Sequence, residues 1–348
     1  MKALTFHGPG DIRFEEVPDP RIERPEDVVV RVDVAGLCGS DLHPYAGREK
    51  GLDHETVMGH EFVGEVVAVG ASVRRFGIGT RVVAPFSTSC GICFFCRSGL
   101  TSRCELGQLF GWREGGRGLH GGQAEFVRVP LADSTLEPVP DALSSERALF
   151  AADILPTGLF AAELGAVRPG TTVVVLGCGP VGLLAIVSSW RREAKRVLAI
   201  DSIAERLELA ARFGAETLHR DDKDLEAAVR RVTAGRGADI VLEAVGSPQA
   251  TRFAVDVVRP GGTVVAIGFH IETAFAFPPG EAYEKNLTYR AGRCPARRFM
   301  WESLAIMTSE GERLESIVSH RLPLIEGPQA YRLFEQKRDR CIKVALRP

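Results

Sequence analysis

The stretch "TTVVVLGCGPVGLLAIVSSW", residues 171–190, decides the fold. It opens with a β-branched apolar run of strand type, and Gly177, Gly179 and Gly182 follow in the spacing G-x-G-x-x-G. A helical segment comes next. Glycines so spaced allow a tight turn and let the main chain approach a pyrophosphate resting on the helix N-terminus. Gly177, Gly179, Pro180, Val181 and Gly182 are therefore candidate cofactor contacts. A second strand, "RVLAID", ends at Asp201, nineteen residues beyond Gly182. A carboxylate there can accept hydrogen bonds from an adenosine ribose and repels a 2′-phosphate, which predicts NAD rather than NADP. Arg206, in "IAERLELAARFGAE", is expected on the solvated face of an amphipathic helix.

Outward from this core the alternation of strand and helix continues. "DLEAAVRRV" reads as helix, "ADIVLEAVG" as strand, "SPQATRFAVDVV" as helix and "TVVAIGF" as strand. The result is a doubly wound parallel sheet from about 167 to 288. Upstream, to about residue 140, short alternating strands such as "VVVRVDVAG" and "FVGEVVAVG" are broken by glycine and proline. That texture predicts an antiparallel, barrel-like domain. Beyond the sheet, "PARRFMWESLAIMTSEG" reads as a helix and the tail "CIKVALRP" as one more strand.

The 348 residues, 45 % hydrophobic and 25 % charged, suit a two-domain globular chain with a sizeable core. A formal net charge of −2 leaves no basic footprint for nucleic acid. No apolar run reaches the roughly 20 residues of a membrane span, and the N-terminal stretch has no signal-type apolar region. The chain reads as soluble and cytoplasmic.

A reducing compartment shifts the reading of "SCGICFFCRSGLTSRC" (89–104) from disulfides to metal. Cys90, Cys93, Cys96 and Cys104 can wrap one tetrahedral Zn²⁺ and leave no position for substrate, so this site is structural. A zinc-ribbon nucleic-acid module is the rival, weakened because Arg97 and Arg103 are the only basic residues in the lobe. A second constellation lies in "GLCGSDLH" and "GHEFVGE". Cys38 and His60 are competent ligands, and a third from elsewhere in the chain would leave one position open for substrate.

In their order along the chain, "CGSD", "GHE", the four-cysteine lobe, "GGQAEFVRVP", "GCGPVG" and "VLAID" resemble the zinc-dependent medium-chain dehydrogenases/reductases, the alcohol dehydrogenase superfamily. The resemblance implies a GroES-like β-barrel catalytic domain (1–153), an inserted Rossmann domain (154–290) and a C-terminal return to the catalytic domain (291–348). It places a catalytic zinc on Cys38, His60 and Asp153, with Glu61 as a mobile carboxylate ranked below them. Asp153, in "AADILPTG", stands where relatives often carry Cys and resembles the formaldehyde-dehydrogenase-like branch. An oxygen ligand of equal charge keeps the site's balance.

The same resemblance makes Asp41 the acid that orients His60, and Ser40 and His43 the proton relay. It implies an alcohol at the open zinc position and hydride transfer to or from NAD, with polyols and aldehyde hydrates inside the substrate class. Arg293, Arg297 or Arg298 would reach the pyrophosphate, with Arg293 taken first. Phe86, Leu37, Trp112 and Phe269 are candidate pocket walls. Two zinc ions per chain are expected, and a homodimer or homotetramer pairing sheets near residues 263–269. Two alternatives stand beside this reading: a zinc-free NADPH quinone or enoyl reductase, and a non-catalytic nucleotide-binding protein. Cys38, His60, Asp153 and Asp201 speak against the first, and an inner ligand set with no member lost speaks against the second.

Overall fold

The structure, a computed structural model, describes residues 1–348 and divides into two compact units, Met1–Pro156 with Pro295–Pro348, and Thr157–Cys294.

In the second unit, six strands run parallel in the order Glu216–His219, Arg196–Asp201, Thr172–Leu176, Ala238–Glu243, Val258–Ala266, Thr288–Ala291. The chain order reverses beside Thr172–Leu176, where doubly wound sheets bind ligands at the carboxyl ends of their strands. Val173, Val174 and Val175 have no exposed surface, because helices cover both faces of a parallel sheet. Each such side chain contributes roughly 1.5–3 kcal/mol by burial. The helix Pro180–Arg191 starts on a proline, whose missing N–H costs nothing at that position. The helix Pro248–Val257 is capped by Ser247, whose Oγ accepts from Ala250 N at 3.2 Å. Val258–Ala266 is paired on both sides, and the outer strand is Thr288–Ala291.

The first unit is antiparallel for the most part. Strand Val28–Leu37 is its hub, pairing with Glu61–Val69, Phe126–Val129 and the tail strand Val344–Arg347. Two register shifts along Val28–Leu37 bend the sheet, as bulges do. One core gathers around Phe62 and Phe110, whose rings meet edge to face at 5.0 Å. The other gathers around Leu4, Leu37, Tyr45, Tyr331 and Phe334. The tail strand runs parallel to His320–Pro323 and antiparallel to Val28–Leu37, so residues near the C-terminus lie beside the segment that carries Cys38. Helix Ala296–Leu314 packs its buried face, including Phe299, Met300 and Met307, within this unit. No helix is long and apolar enough to cross a membrane.

Candidate active site and metal centres

Three breaks in regular structure bring the first donor set together. Cys38 follows the strand Val28–Leu37, His60 precedes the strand Glu61–Val69, and Asp153 precedes the helix Ile154–Leu164. One ligand atom from each of Cys38, His60, Glu61 and Asp153 lies within 4.8 Å of the others. Cys38 Sγ is 3.3 Å from Asp153 Oδ2, and His60 Nε2 is 3.5 Å from the same oxygen. Asp41 Oδ1 sits 3.2 Å from His60 Nδ1, while its Oδ2 accepts from Cys38 N at 2.9 Å. Ser40 Oγ is 3.3 Å from His60 Nε2. His43 lies half-buried on the short helix Leu42–Tyr45.

The electrostatics ask for a cation. Burial alone would keep His60 neutral, but the charge of Asp41 and bonds with Asp153, Asp41 and Cys38 hold it well above the usual imidazole range. Burial pushes the Cys38 thiol up, and the charges of Asp153 and Glu61 push it further. Burial also raises Asp153, yet the hydrogen bond and charge of His60, then Lys343, outweigh it and leave the carboxyl low. Glu61 is wholly buried, its Oε2 on the Lys343 ammonium and its Oε1 without a hydrogen-bond partner. Sulfur, nitrogen and carboxylate donors converging on one point, with an orphaned buried oxygen beside them, fit Zn²⁺.

Lys343 escaped the sequence reading, although a lysine leading an apolar strand in "CIKVALRP" was its visible signal. Burial works to lower its pKa; the facing Glu61 carboxylate, with Cys38 and Asp153, more than reverses that and keeps the ammonium charged. Gly36 makes the pair possible, since a Cβ there would stand 1.9 Å from Glu61 Oε2.

The cysteine lobe also closes on one point. The sulfurs of Cys90, Cys93, Cys96 and Cys104 lie within 4.8 Å of one another, and all four are free thiols. Main-chain amides reach three of them, Cys93 N to Cys90 Sγ at 3.4 Å, Cys96 N to Cys93 Sγ at 3.5 Å and Cys90 N to Cys104 Sγ at 3.2 Å. Amides from Glu105 and Cys96 pull Cys93 down to about 6, whereas burial pushes Cys96 up to about 12. Four thiolates so close ionise together only around a cation, and four sulfurs suit zinc.

In the second unit the glycine loop has the features a pyrophosphate needs. Gly177 sits at φ +86°, a Cβ on Gly182 would lie 1.7 Å from Gly177 O, and beside Gly179 the nearest atom to a Cβ is 3.7 Å away. These supply the turn, the close helix packing and the open approach in that order. Pro180 and Val181 open the following helix. Asp201 takes hydrogen bonds from Cys178 N (2.6 Å) and Ile203 N (2.9 Å), which hold its carboxylate beside the loop. Arg206 corrects the sequence reading: its side chain is only 13 % exposed and its guanidinium stands 4.0 Å from Asp201.

The other sequence candidates meet varied surroundings. Leu37 is wholly buried in a core cluster, and Trp112 packs against that same cluster. Phe86 is buried with its ring edge-on to His60 at 6.5 Å. Arg297 is committed to Ser134 O at 2.9 Å and Glu137 at 2.6 Å, and Arg298 stacks on Phe299. Arg293 lies exposed after the strand Thr288–Ala291.

Residues 24–141 match the family model of the alcohol dehydrogenase GroES-like domain, and residues 180–307 that of the zinc-binding dehydrogenases. Zinc-type alcohol dehydrogenase B of Aspergillus flavus is 41 % identical over 96 % of this chain and 78 % of its own. The chain belongs to the zinc-dependent medium-chain dehydrogenases. The zinc-type alcohol dehydrogenase-like protein AdhB of Bacillus subtilis is 35 % identical to this dehydrogenase over the whole of both chains. The solved alcohol dehydrogenase TADH from Thermus sp. ATN1 superposes with a TM-score of 0.93 at 41 % identity, covering 100 % of this chain and 99 % of that one. The dehydrogenase thus combines a GroES-like part with a Rossmann sheet, as its motifs implied.

Proposed function

We propose that this dehydrogenase transfers hydride between an alcohol, polyol or aldehyde hydrate and NAD(H) at a zinc held by Cys38, His60 and Asp153. The observation that carries the reading is the convergence of these three donors on one point with Glu61 restrained beside them by Lys343. When bound, the zinc supplies Lewis acidity that lowers the pKa of an alcohol, and the nicotinamide supplies the hydride acceptor. The chain's own residues do the rest. Asp41 holds the His60 ring, leaving Nε2 toward Cys38 and Asp153. Ser40 Oγ takes the substrate's hydroxyl proton and His43 passes it toward solvent. A second zinc, on Cys90, Cys93, Cys96 and Cys104, staples the lobe.

In this reading residues 1–153 are catalytic, 154–290 bind NAD and 291–348 return to the catalytic part. The glycine loop and Arg293 hold the pyrophosphate. The carboxylate of Asp201, braced by two amides, favours the unphosphorylated ribose of NAD over NADP. The "DILPTG" surroundings of Asp153 support the formaldehyde-dehydrogenase-like branch, and a cytoplasmic homodimer or homotetramer is the form expected.

The test is zinc per chain in wild type, Asp153→Ala and Cys93→Ala, with NADH formation from a panel of alcohols. Two zinc ions in wild type, one in each variant, and a folded but silent Asp153→Ala support the reading. A single zinc that survives Asp153→Ala refutes it and favours a reductase without a catalytic zinc or a non-catalytic nucleotide-binding protein; NADPH outpacing NADH in kcat/KM refutes the cofactor choice.

A further inference from the structure

Three buried polar side chains, Tyr331, Gln123 and Asp41, form a line from the C-terminal segment to the ligand imidazole of His60. Tyr331, on helix Gly327–Gln336, has no exposed surface and donates its hydroxyl to Gln123 Oε1 at 2.8 Å. Gln123, also without exposed surface, directs its Nε2 to Gly36 O at 3.1 Å and to Asp41 Oδ2 at 3.4 Å. Asp41 in turn places Oδ1 3.2 Å from His60 Nδ1.

We propose that Tyr331 and Gln123 are positioning residues for the catalytic metal, acting through Asp41 on His60; this rests on reading Cys38, His60 and Asp153 as its ligands. The direction of each bond carries the argument. Gly36 O and the Asp41 carboxylate can only accept, so they fix which way the Gln123 amide faces, and the Tyr331 hydroxyl donates to the Oε1 that this orientation turns toward it. Turned over, the amide would aim an oxygen at the Asp41 carboxylate and the Gly36 carbonyl, both acceptors. In the orientation seen, Gln123 Nε2 and Cys38 N share Asp41 Oδ2, which leaves Oδ1 for His60. The ring then presents Nε2 toward Asp153 and Cys38.

A second observation is the tight packing of Gln123 against the residue before His60. A Cβ on Gly59, the residue before His60, would lie 2.4 Å from Gln123 Cγ. The backbone that carries the ligand is therefore pressed against this side chain. Hydrogen bonds from Gln123 N to Met58 O (2.9 Å) and Gly122 N to Gly59 O (2.8 Å) hold the two segments in that contact. Side chain and backbone of Gln123 thus set the histidine from both sides.

The experiment follows zinc release to a chelator from intact holoenzyme, with the absorption spectrum of the cobalt-substituted protein as a second readout. Tyr331→Phe and Gln123→Leu are compared with Tyr45→Phe, a neighbouring buried phenol whose ring meets Tyr331 at 5.3 Å but which bonds to no member of the line. Loss of a direct partner of a ligand histidine changes metal affinity 10–100-fold, so a more distant member is expected to speed release about three- to tenfold. In Tyr331→Phe, one zinc should leave faster by that factor and the other at the wild-type rate, with an altered cobalt spectrum; Tyr45→Phe should match wild type. Wild-type release and spectra in Tyr331→Phe overturn the proposal, as does equal acceleration of both metals, which marks general loosening. Should Gln123→Leu fail to fold, Tyr331→Phe still decides. A wild type with one zinc, or an Asp153→Ala that keeps both, overturns the underlying site reading instead.

Discussion

Replacing Lys343 with methionine tests whether the buried ion pair beside the donor set stabilises the fold as its geometry requires. Both side chains are almost completely enclosed, at 2 % and 1 % exposure. Removing the ammonium leaves a carboxylate whose Oε1 already lacks a partner, facing the charge of Asp153. Stranding one member of a buried pair costs about 3–5 kcal/mol. For a unit of about 210 residues, each kcal/mol moves Tm by about 2–4 °C. Lys343→Met should therefore melt about 6–20 °C lower in metal-free protein, read by circular dichroism after chelation. Lys343→Met/Glu61→Gln removes the stranded charge and should recover at least half of the loss, because the penalty belongs to the unpaired ion. Zinc should narrow the gap between wild type and the single variant by offsetting the carboxylate's charge. A single variant within about 2 °C of wild type refutes the reasoning, as does a double variant that falls as far as the single.

Cys93→Ser should lose the lobe's zinc and keep the other, and limited proteolysis should then cut between Cys90 and Cys104; a variant with full zinc content contradicts a four-sulfur site. A pH effect is expected in the nucleotide-binding unit, where His270 bridges Glu243 (2.7 Å) and Glu272 (2.9 Å). The bond to Glu243, then that to Glu272, outweighs burial and raises His270 to about 8. Its contribution is therefore full below the ordinary pKa of about 6.5 and is lost as pH rises through about 8. The shift corresponds to about 2 kcal/mol, reduced to about 1 kcal/mol because solvent reaches the ring. The Tm advantage of wild type over His270→Gln should shrink between about pH 6 and pH 9, and an advantage constant across that range counts against the bridge.

Short-range patterns were the legible part of this molecule. A G-x-G-x-x-G turn is dictated by backbone sterics within six residues, and the structure has that turn, with a left-handed Gly177 and a Gly182 with no room for a side chain. Four cysteines in fifteen positions can meet through one loop whatever surrounds them, and here they do. Strand and helix alternation likewise announced the parallel sheet, because burial on both faces writes continuous apolar runs. Order along the chain then carried the family, and with it the pairing of Cys38 and His60 with a distant Asp153.

What only the tertiary structure decided is which polar side chains are buried, and against what. Arg206 sits in an amphipathic pattern that reads as solvated, yet folding lays it beside Asp201. Leu37 adjoins Cys38 in sequence, but the strand's register turns it into the core. Lys343 and Glu61 are 282 positions apart, and Tyr331 and Gln123 are 208 apart. Nothing in a local pattern pairs them, because the cost of enclosing a charge or hydroxyl is offset only by a partner that the returning chain delivers. The sequence alone therefore determined the fold class and the types of donor side chain. The surroundings that orient those donors came from long-range packing, where the C-terminal segment meets residues far upstream.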